Sequence, residues 1–364
     1  MDLSLIICTW NNQDRLRITL EELSHCDIPG NLSWECIVVN NNSSDESEKV
    51  ISSFQNKLPI KYIFEPQQGL SAARNSGLKA ALGQLIIWSD DDVEPCKDWL
   101  KIYWVAYQRF PFGYFFGGPI ESNFEKGGLN PNFLEIAPNS VKGFNLGSKE
   151  MILTKEQCFL GANWACPSEI IKILGGFDIE KGLNPISKTL RVGEETDLMK
   201  RLVEAGLQGL YLPEAYIKHF VPCKKMTLVH IAARWEAWGF EEADQFKIYL
   251  KDVPLGRLPR WMIKEAIFKW LNYIYLRISG QKWHKSYIKF REYLGILKGL
   301  KDAKTQVDKI NEPLSDHVTV PTIDQQALPI DDKSRNAKVS VIIPTYNKAL
   351  YIQQAIDSVL SQTF

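Results

Sequence analysis

The first part of the sequence predicts an α/β fold: a Rossmann-like, mostly parallel sheet with helices on both faces. Four short, continuously apolar runs are separated by three segments of helical spacing within the first 90 residues. Strands that are apolar throughout, instead of alternating with polar residues, are typical of a parallel sheet that is buried on both faces. Polar residues follow the runs, at the positions where open sheets of this kind bind ligands.

The predicted order of elements is β-α-β-α-β-α-β. Apolar and β-branched residues predict four strands, at Leu3–Thr9, Trp34–Val39, Ile60–Glu65 and Leu85–Trp88. Apolar residues spaced by three or four positions predict three helices, at Arg15–Leu23, Glu46–Phe54 and Ser71–Leu82. Gly83 follows the third helix as a C-terminal stop signal. The G-x-G-x-x-G fingerprint does not follow the first strand, so the pattern does not indicate a dinucleotide site.

The later sequence is more mixed. Gly193–Gly206 contains a helix with Leu198 and Leu202 on one side, and Leu210–Ile217 reads as a short strand before His219. Residues 226–310 form a predicted helical extension, rich in aromatic and basic side chains. The α/β domain is therefore expected to span residues 1–225.

A repeat near the end predicts a further domain. Val339–Lys348 matches Leu3–Asn12 at the serine, both isoleucines, the threonine and the asparagine. One strand and one helix cannot bury their apolar faces alone. We therefore expect residues 338–364 to be the truncated start of a second copy of the first domain, in the same chain. Residues 311–337, which carry prolines and acids, form the predicted linker.

Composition narrows the class of protein. The 364 residues contain 43 Lys plus Arg and 43 Asp plus Glu, so the formal net charge is zero. This balance lacks the basic footprint of a nucleic-acid-binding protein. Seven cysteines without a C-x-x-C pair favour reduced thiols in a cytosolic protein. Neither a signal peptide nor a run of about 20 apolar residues is visible. We expect a cytoplasmic protein without a nucleic-acid partner.

Polar side chains gather where the predicted strands end. Thr9 and Trp10 close the first strand, and Asn40 closes the second. Arg74 lies in the segment after the third strand, and Asp90–Asp92 follow the fourth. Because the carboxyl ends of parallel strands meet at one edge, these side chains should face one crevice.

Asp90 and Asp92 form a D-x-D motif on an extended chain end, so their carboxylates should point the same way. Neighbouring carboxylates repel each other unless a cation neutralises them. Mg²⁺ or Mn²⁺ fits, because these cations bind one or two carboxylates and complete their shell with substrate phosphates. The alternatives are a solvated acidic loop and caps for the next helix.

Two further residues are candidate site residues, and each also has an ordinary structural interpretation. Glu195 lies in the acidic start of a helix, where it either complements the helix dipole or serves as a general base. His219 is either a structural histidine or, beside a carboxylate site, a metal ligand.

Together these features resemble a family 2 glycosyltransferase of the GT-A fold. The resemblance covers about residues 2–235 and the repeat at 338–364. It is carried by "SLIICTWNN", "GLSAARNSGLKAALGQLIIWSDDDVEP", "GANWACPSEIIKILGGFD", "GEETDLMKRL" and "KHFVP", in the family's order. The combination is specific, whereas each motif alone is not.

The resemblance implies an inverting transfer of a sugar from a nucleotide-diphosphate sugar to an acceptor hydroxyl, in polysaccharide or glycoconjugate synthesis. It implies a saccharide or lipid-linked acceptor, and Mn²⁺ or Mg²⁺ as cofactor. For individual residues, the resemblance implies that Thr9 and Trp10 contact the base and ribose, that Arg74 contacts the diphosphate, and that Asp90 and Asp91 contact the ribose. It also implies that Asp92 and His219 bind the metal and that Glu195 is the general base. Where the family more often has aspartate in an E-D pair, this chain has Glu195.

Asn40 departs from the resemblance, because the family usually has an aspartate there that reads the nucleotide base. An amide both donates and accepts hydrogen bonds, unlike a carboxylate. Asn40 therefore also favours an alternative function, a catalytically silent nucleotide-sugar-binding domain that supports a second, active domain. A nucleotidyltransferase is a third reading. The acidic "GEETDL" helix and the absence of a glycine-rich, lysine-bearing loop count against it.

The helical extension mixes basic and aromatic residues, at Arg257, Arg260, Lys264, Lys269, Trp261, Trp270, Tyr273 and Tyr275. A basic amphipathic helix can lie on an anionic membrane. The sequence thus indicates either a peripheral membrane contact or a helical cap on the first domain.

Overall fold

The computed structural model describes residues 1–184, 190–250 and 258–310 of the chain. Met1–Asp308 form one compact unit, and Lys309–Phe364 form a second. The predicted linker at 311–337 and the repeat at 338–364 lie outside the described residues. The boundary expected near residue 225 falls within the first unit and stays a prediction.

Eleven strands and ten helices are seen in the described residues. The strands are β1 (Leu3–Thr9), β2 (Trp34–Asn40), β3 (Ile60–Phe64), β4 (Leu85–Asp90), β5 (Val93–Pro95), β6 (Tyr114–Gly117), β7 (Ile120–Phe124), β8 (Met151–Ile152), β9 (Trp164–Pro167), β10 (Gln208–Tyr211) and β11 (Ile217–Val221). The helices are α1 (Gln13–Ser24), α2 (Ser47–Ser53), α3 (Leu70–Ala80), α4 (Trp99–Arg109), α5 (Asn139–Lys142), α6 (Ser168–Ile173), α7 (Glu194–Glu204), α8 (Leu228–Glu242), α9 (Arg260–Ile278) and α10 (His284–Ile310). Short 3₁₀ segments lie at Pro131–Phe133, Cys223–Met226 and Ala243–Leu250.

The main sheet has eight strands in the order β3-β2-β1-β4-β9-β6-β10-β8. The pairs β3-β2, β2-β1 and β1-β4 are parallel, as the apolar runs predicted. The pairs on either side of β9 are antiparallel, so the sheet is mixed overall. β1 is buried along nearly its whole length because it lies inside the sheet with helix α3 packed against it. The predicted α/β fold is confirmed.

Strand register fixes the edge at which the polar residues meet. Thr9 lies opposite Asn40 in the β1-β2 pair, and Cys8 lies opposite Asp90 in the β1-β4 pair. These carboxyl ends therefore open on the same side of the sheet.

A second sheet of three strands has the order β5-β11-β7. The predicted strand at Leu210–Ile217 is wrong: the chain forms β10 in the main sheet, turns, and enters the small sheet as β11. Pro213 lies in this turn and has no backbone N–H to extend the ladder, which explains the break. His219 consequently lies inside β11, opposite Val93 of β5.

The helical region after residue 226 is confirmed and packs closely on itself. A Cβ at Gly239 of α8 would lie 2.0 Å from the Glu292 carbonyl oxygen, and one at Gly295 of α10 would lie 1.9 Å from that of Glu236. The two glycines therefore permit direct backbone contact between these helices. Trp235 links the region to the first domain, because its Nε1 donates to the Ile136 carbonyl at 2.7 Å. Within the described residues, no helix combines the length and the apolarity needed to cross a bilayer.

Candidate active site

Asp91 is turned toward the end of β1 and the start of α1. Thr9 Oγ1 donates to its Oδ2 at 2.5 Å, and Asn12 Nδ2 donates to its Oδ1 at 2.8 Å. Burial and the charge of Asp92 raise the pKa of Asp91 to about 7, although both hydrogen bonds oppose this. Asp91 is therefore fixed by Thr9 and Asn12, and Trp10, which lies between these two residues in the sequence, is exposed.

Asp90 and Asp92 meet His219 in one cluster. One potential ligand atom from each of the three side chains lies within 4.8 Å of the others. His219 Nε2 lies 3.2 Å from Asp92 Oδ1, and Lys225 Nζ lies 3.6 Å from Asp92 Oδ2. The pairing of β5 with β11 explains the contact, because it brings His219 beside the turn that carries Asp92. The sequence expectation that the two aspartates of the D-x-D motif face the same way is confirmed.

The charges in this cluster are unequal. Burial raises the pKa of Asp90, with Arg74 opposing the shift and Asp92 adding to it. Burial also acts to raise the pKa of Asp92, but the His219 and Lys225 charges hold it below its usual range. Burial acts to lower the pKa of His219, and the Asp92 carboxylate raises it above its usual value. Of the two carboxylates that share this site, Asp90 is thus the one whose negative charge is less well balanced by nearby positive charges.

This donor set fits a divalent cation. Two carboxylates and one imidazole suit Mn²⁺ and, through the carboxylates, Mg²⁺. A cation would also reduce the repulsion between Asp90 and Asp92 that contributes to the raised pKa of Asp90. Asp91 has both carboxylate oxygens engaged by Thr9 and Asn12 and lies outside the cluster.

Arg74 connects this cluster to the start of α7. The side chain is buried, with Nη1 2.8 Å from Glu194 Oε1 and Nη2 3.5 Å from Asp90 Oδ1. The guanidinium is thus held between two carboxylates and stacks at 5.3 Å over the Phe177 ring. Its predicted contact with a diphosphate stays a prediction.

Glu195 lies in the first turn of α7, next to the buried Glu194. Gly193 precedes the helix with a φ of +86°, a left-handed conformation that favours glycine. Burial and the adjacent Glu194 charge raise the pKa of Glu195 to about 8, while Arg74 opposes the shift. A half-buried carboxyl with a pKa near neutrality suits proton transfer.

Asn40 lies at the end of β2, and its amide is occupied locally. Its Oδ1 accepts from the Ser43 N–H at 2.9 Å, and its Nδ2 donates to Tyr62 Oη at 3.3 Å. Asn41 likewise holds the next loop, since its Oδ1 accepts from the Gly69 N–H at 2.9 Å. The two amides therefore shape the loops that border the crevice, and base recognition by Asn40 stays a prediction.

Sequence reasoning missed Glu194, Lys225 and Asn12 as parts of the site. Glu194 was visible as the first acid of the helix start, and Asn12 as the last polar residue of the first strand end. No local signal pointed to Lys225, because its position depends on the 3₁₀ segment that follows β11.

Comparison with known proteins agrees with the resemblance that the sequence motifs indicate. The family model described as "Glycosyl transferase family 2" matches residues 4–166. The chain is 34% identical over 103 residues to the chondroitin synthase of Escherichia coli, covering 28% of this chain and 15% of that protein. It is 28% identical over 224 residues to the pre-mycofactocin glycosyltransferase of Mycobacterium tuberculosis, covering 60% of this chain and 42% of that protein. The chain thus spans less than half the length of these curated relatives.

Two further similarities extend over more of the chain. The succinoglycan biosynthesis protein ExoM of Rhizobium meliloti is 23% identical over 233 residues, covering 63% of this chain and 70% of that protein. A solved mannosyltransferase from Pyrobaculum calidifontis, in complex with GDP-Man and Mn²⁺, aligns with a TM-score of 0.48 at 17% identity. That alignment covers 86% of this chain and 76% of the solved one. Residues 4–166 thus match glycosyl transferase family 2, and the α/β sheet agrees with the GT-A fold that the resemblance implies.

Proposed function

We propose that this chain is an inverting, metal-dependent glycosyltransferase that acts in polysaccharide or glycoconjugate synthesis. It would move a sugar from a nucleotide-diphosphate sugar to a hydroxyl of a saccharide or lipid-linked acceptor. The observation that carries the proposal is the Asp90-Asp92-His219 cluster, joined through Arg74 and Glu194 to the carboxyl of Glu195. The chondroitin synthase and succinoglycan biosynthesis relatives, by their names, support a role in polysaccharide synthesis.

The nucleotide would bind along the carboxyl edge of β1, β2 and β4. Trp10 offers an exposed ring for the base, beside Thr9 and Asn40. Asp91 offers a carboxylate held by Thr9 and Asn12 for the ribose. Arg74 would act near the diphosphate, where a guanidinium favours phosphate oxygens.

Asp92 and His219 would hold Mn²⁺ or Mg²⁺, as the resemblance implies, and Asp90, for which it implies a ribose contact, would join them as a ligand because it lies in the same cluster. The bound cation would neutralise charge on the departing diphosphate and orient it. Lys225, which contacts Asp92, adds a second positive charge at the same place. The residues of the cluster thus position a diphosphate leaving group over the edge of the sheet.

Glu195 would act as the general base. In the proposed step the acceptor oxygen attacks the anomeric carbon while the bond from that carbon to the diphosphate oxygen breaks. The hydroxyl proton passes to the Glu195 carboxylate, and the nucleoside diphosphate leaves with the electron pair. Attack on the face opposite the leaving group inverts the anomeric configuration.

The raised pKa of Glu195 predicts the pH dependence of the transfer rate. A base must be unprotonated, and at pH 6–7 a carboxyl with a pKa of about 8 is mostly protonated. We therefore expect kcat/KM to rise with pH by about tenfold per pH unit below about 8 and to level off above it. A profile that is flat from pH 6 to 9 would contradict this assignment, and donor titration across the same range serves as the binding control.

The metal assignment predicts that Asp92→Asn weakens Mn²⁺ binding. Loss of an outer-shell partner typically lowers metal affinity by roughly 10–100-fold, so loss of a direct ligand should lower it at least as much. The measurement is calorimetric titration with Mn²⁺ in the presence of a nucleoside diphosphate, together with transfer assays with and without Mn²⁺. Asp27→Asn, at an exposed position of the same residue type, is the control. Equal Mn²⁺ affinity in Asp92→Asn and wild type would contradict the metal role.

The alternative function is a silent nucleotide-sugar-binding domain that supports an active second domain. The local hydrogen bonds of Asn40 favour it, because its amide is already engaged where the family usually presents a carboxylate. A panel of donor sugars separates the two functions: binding by calorimetry without turnover favours the silent domain, whereas turnover that Glu195→Gln abolishes favours the transferase.

A further inference from the structure

Helix α9 has two apolar faces, and within the described residues one of them packs on the protein while the other is largely exposed. Met262, Ala266 and Tyr273 are buried, and the first two pack in a cluster with residues of α10. Large apolar side chains also cover much of the exposed surface of the helix. A wide apolar helix surface is normally buried, in a protein core or in lipid.

The outward face of α9 carries a continuous row of large side chains. Ile263, Ile267, Trp270, Ile274 and Ile278 follow one another at spacings of four, three, four and four residues, which places them along one side of a helix. All but the half-buried Ile274 are exposed, and Ile278 is 82% exposed. We call these five residues the outward row.

Aromatic and aliphatic residues widen this row. Phe268, Leu271 and Tyr275 are exposed beside it, with Phe268 at 67%. At the start of the helix, the exposed Trp261 ring packs edge-on against Tyr249 of the preceding 3₁₀ segment, with centroids 5.4 Å apart. Trp and Tyr are the residues that concentrate where a protein meets the headgroup region of a membrane. Single exposed apolar residues are ordinary, whereas a contiguous surface of this kind marks a docking site.

The charges near this surface are mostly positive. Arg260, Lys264 and Arg277 are exposed on α9. The helix sequence contains one acidic residue, Glu265, and its carboxylate is paired with Lys269 at 3.0 Å. The chain as a whole is neutral, so this local excess of positive charge is a property of the helix. Arg and Lys can lay their apolar stems along a lipid surface and keep their charges among anionic headgroups.

We propose that α9 docks this chain on an anionic phospholipid surface, with the outward row in the headgroup and upper acyl region. The helix lies on the membrane plane because its face with Met262 and Ala266 stays packed against α10. This interaction goes beyond the proposed transfer chemistry and does not depend on it. The residues that form this surface differ from those that the sequence suggested. Tyr273 is buried and Lys269 is paired, whereas Ile263, Ile267 and Ile278 are exposed.

The test is sedimentation of the full chain with vesicles of phosphatidylcholine and phosphatidylglycerol, compared with vesicles of phosphatidylcholine alone. We expect the chain to bind the anionic vesicles and to dissociate as the salt concentration rises. Replacing two apolar side chains, Ile267→Glu with Leu271→Glu, should weaken binding at least roughly 10-fold. The matched control, Phe112→Glu with Leu82→Glu, alters two exposed residues outside α9 and should bind as wild type does.

A second pair of substitutions tests the charges. Arg260→Gln with Lys264→Gln should weaken binding to the anionic vesicles by roughly 10- to 30-fold and reduce its salt dependence. Failure of the wild-type chain to bind anionic vesicles would overturn the proposal, as would equal binding by the Ile267/Leu271 variant. So would light scattering that shows a wild-type dimer converted to a monomer by this variant without any vesicle binding, because a second copy would then cover the face. Donor binding in solution reports separately on the proposed function.

Discussion

Replacing Glu195 with glutamine should lower the transfer rate by about 10²–10⁴-fold, because glutamine cannot accept the proton of the acceptor hydroxyl. The substitution keeps the size of the side chain and removes its charge. The charge of the Asp90-Asp92-His219 cluster is unchanged, so donor and Mn²⁺ affinities should stay close to those of wild type. The measurement is single-turnover transfer, with donor affinity determined by calorimetry in parallel.

A control on the same helix separates this effect from a loss of helix stability. Glu204 lies exposed at the other end of α7, so Glu204→Gln should leave the transfer rate unchanged. The pH profile gives a second readout: the rise of kcat/KM toward pH 8 should be absent from the residual activity of Glu195→Gln. Transfer by Glu195→Gln at more than about a tenth of the wild-type rate would refute the role as general base.

The parallel half of the sheet could be predicted from the sequence because its signals are local. β1 has the predicted bounds, and β2, β3 and β4 differ by one or two residues at one end. Each strand is a continuous apolar run. The same run therefore indicates both that the segment is a strand and that the strand is buried on both faces. The carboxyl edge with Thr9, Asn40 and Asp90 then follows from topology alone.

The remaining geometry depends on contacts between distant segments. His219 meets Asp92 only because the chain leaves the main sheet after β10 and pairs with β5, an exit that local apolarity did not reveal. Asp91 turns away from Asp90 and Asp92 because Thr9 and Asn12 bind its carboxylate from another element. Consecutive aspartates look alike in a sequence, and only their partners distinguish them.

The ion pair between Arg74 and Glu194 is the clearest of these long-range contacts. It joins α3 to α7 across 120 residues, and both side chains are buried. Asp90 also lies 3.5 Å from the same guanidinium, at a more exposed position. Removing the arginine would therefore leave a buried carboxylate without its partner.

Arg74→Met should accordingly lower the free energy of unfolding by about 3–5 kcal/mol, because an uncompensated buried charge is strongly destabilising. Urea denaturation followed by tryptophan fluorescence measures this, since Trp88 and Trp164 are buried in the sheet nearby. The matched control is Arg109→Met, which breaks the exposed pair between Arg109 and Glu150. An exposed pair contributes about 0–1 kcal/mol, so this variant should unfold almost as wild type does.

A double variant separates the cost of an orphaned charge from the cost of lost packing. Arg74→Met with Glu194→Leu removes both buried charges and should recover much of the stability that Arg74→Met loses. If the double variant is as unstable as the single one, the loss comes from packing around Phe177 and Gly161 instead of from charge.

The contact between Arg74 and Glu194 also predicts how these variants change the pH profile of the transfer rate. Without the Glu194 charge, the pKa of Glu195 should fall, whereas without Arg74 alone it should rise. The transfer rate of the double variant should therefore reach its plateau at a lower pH than that of Arg74→Met.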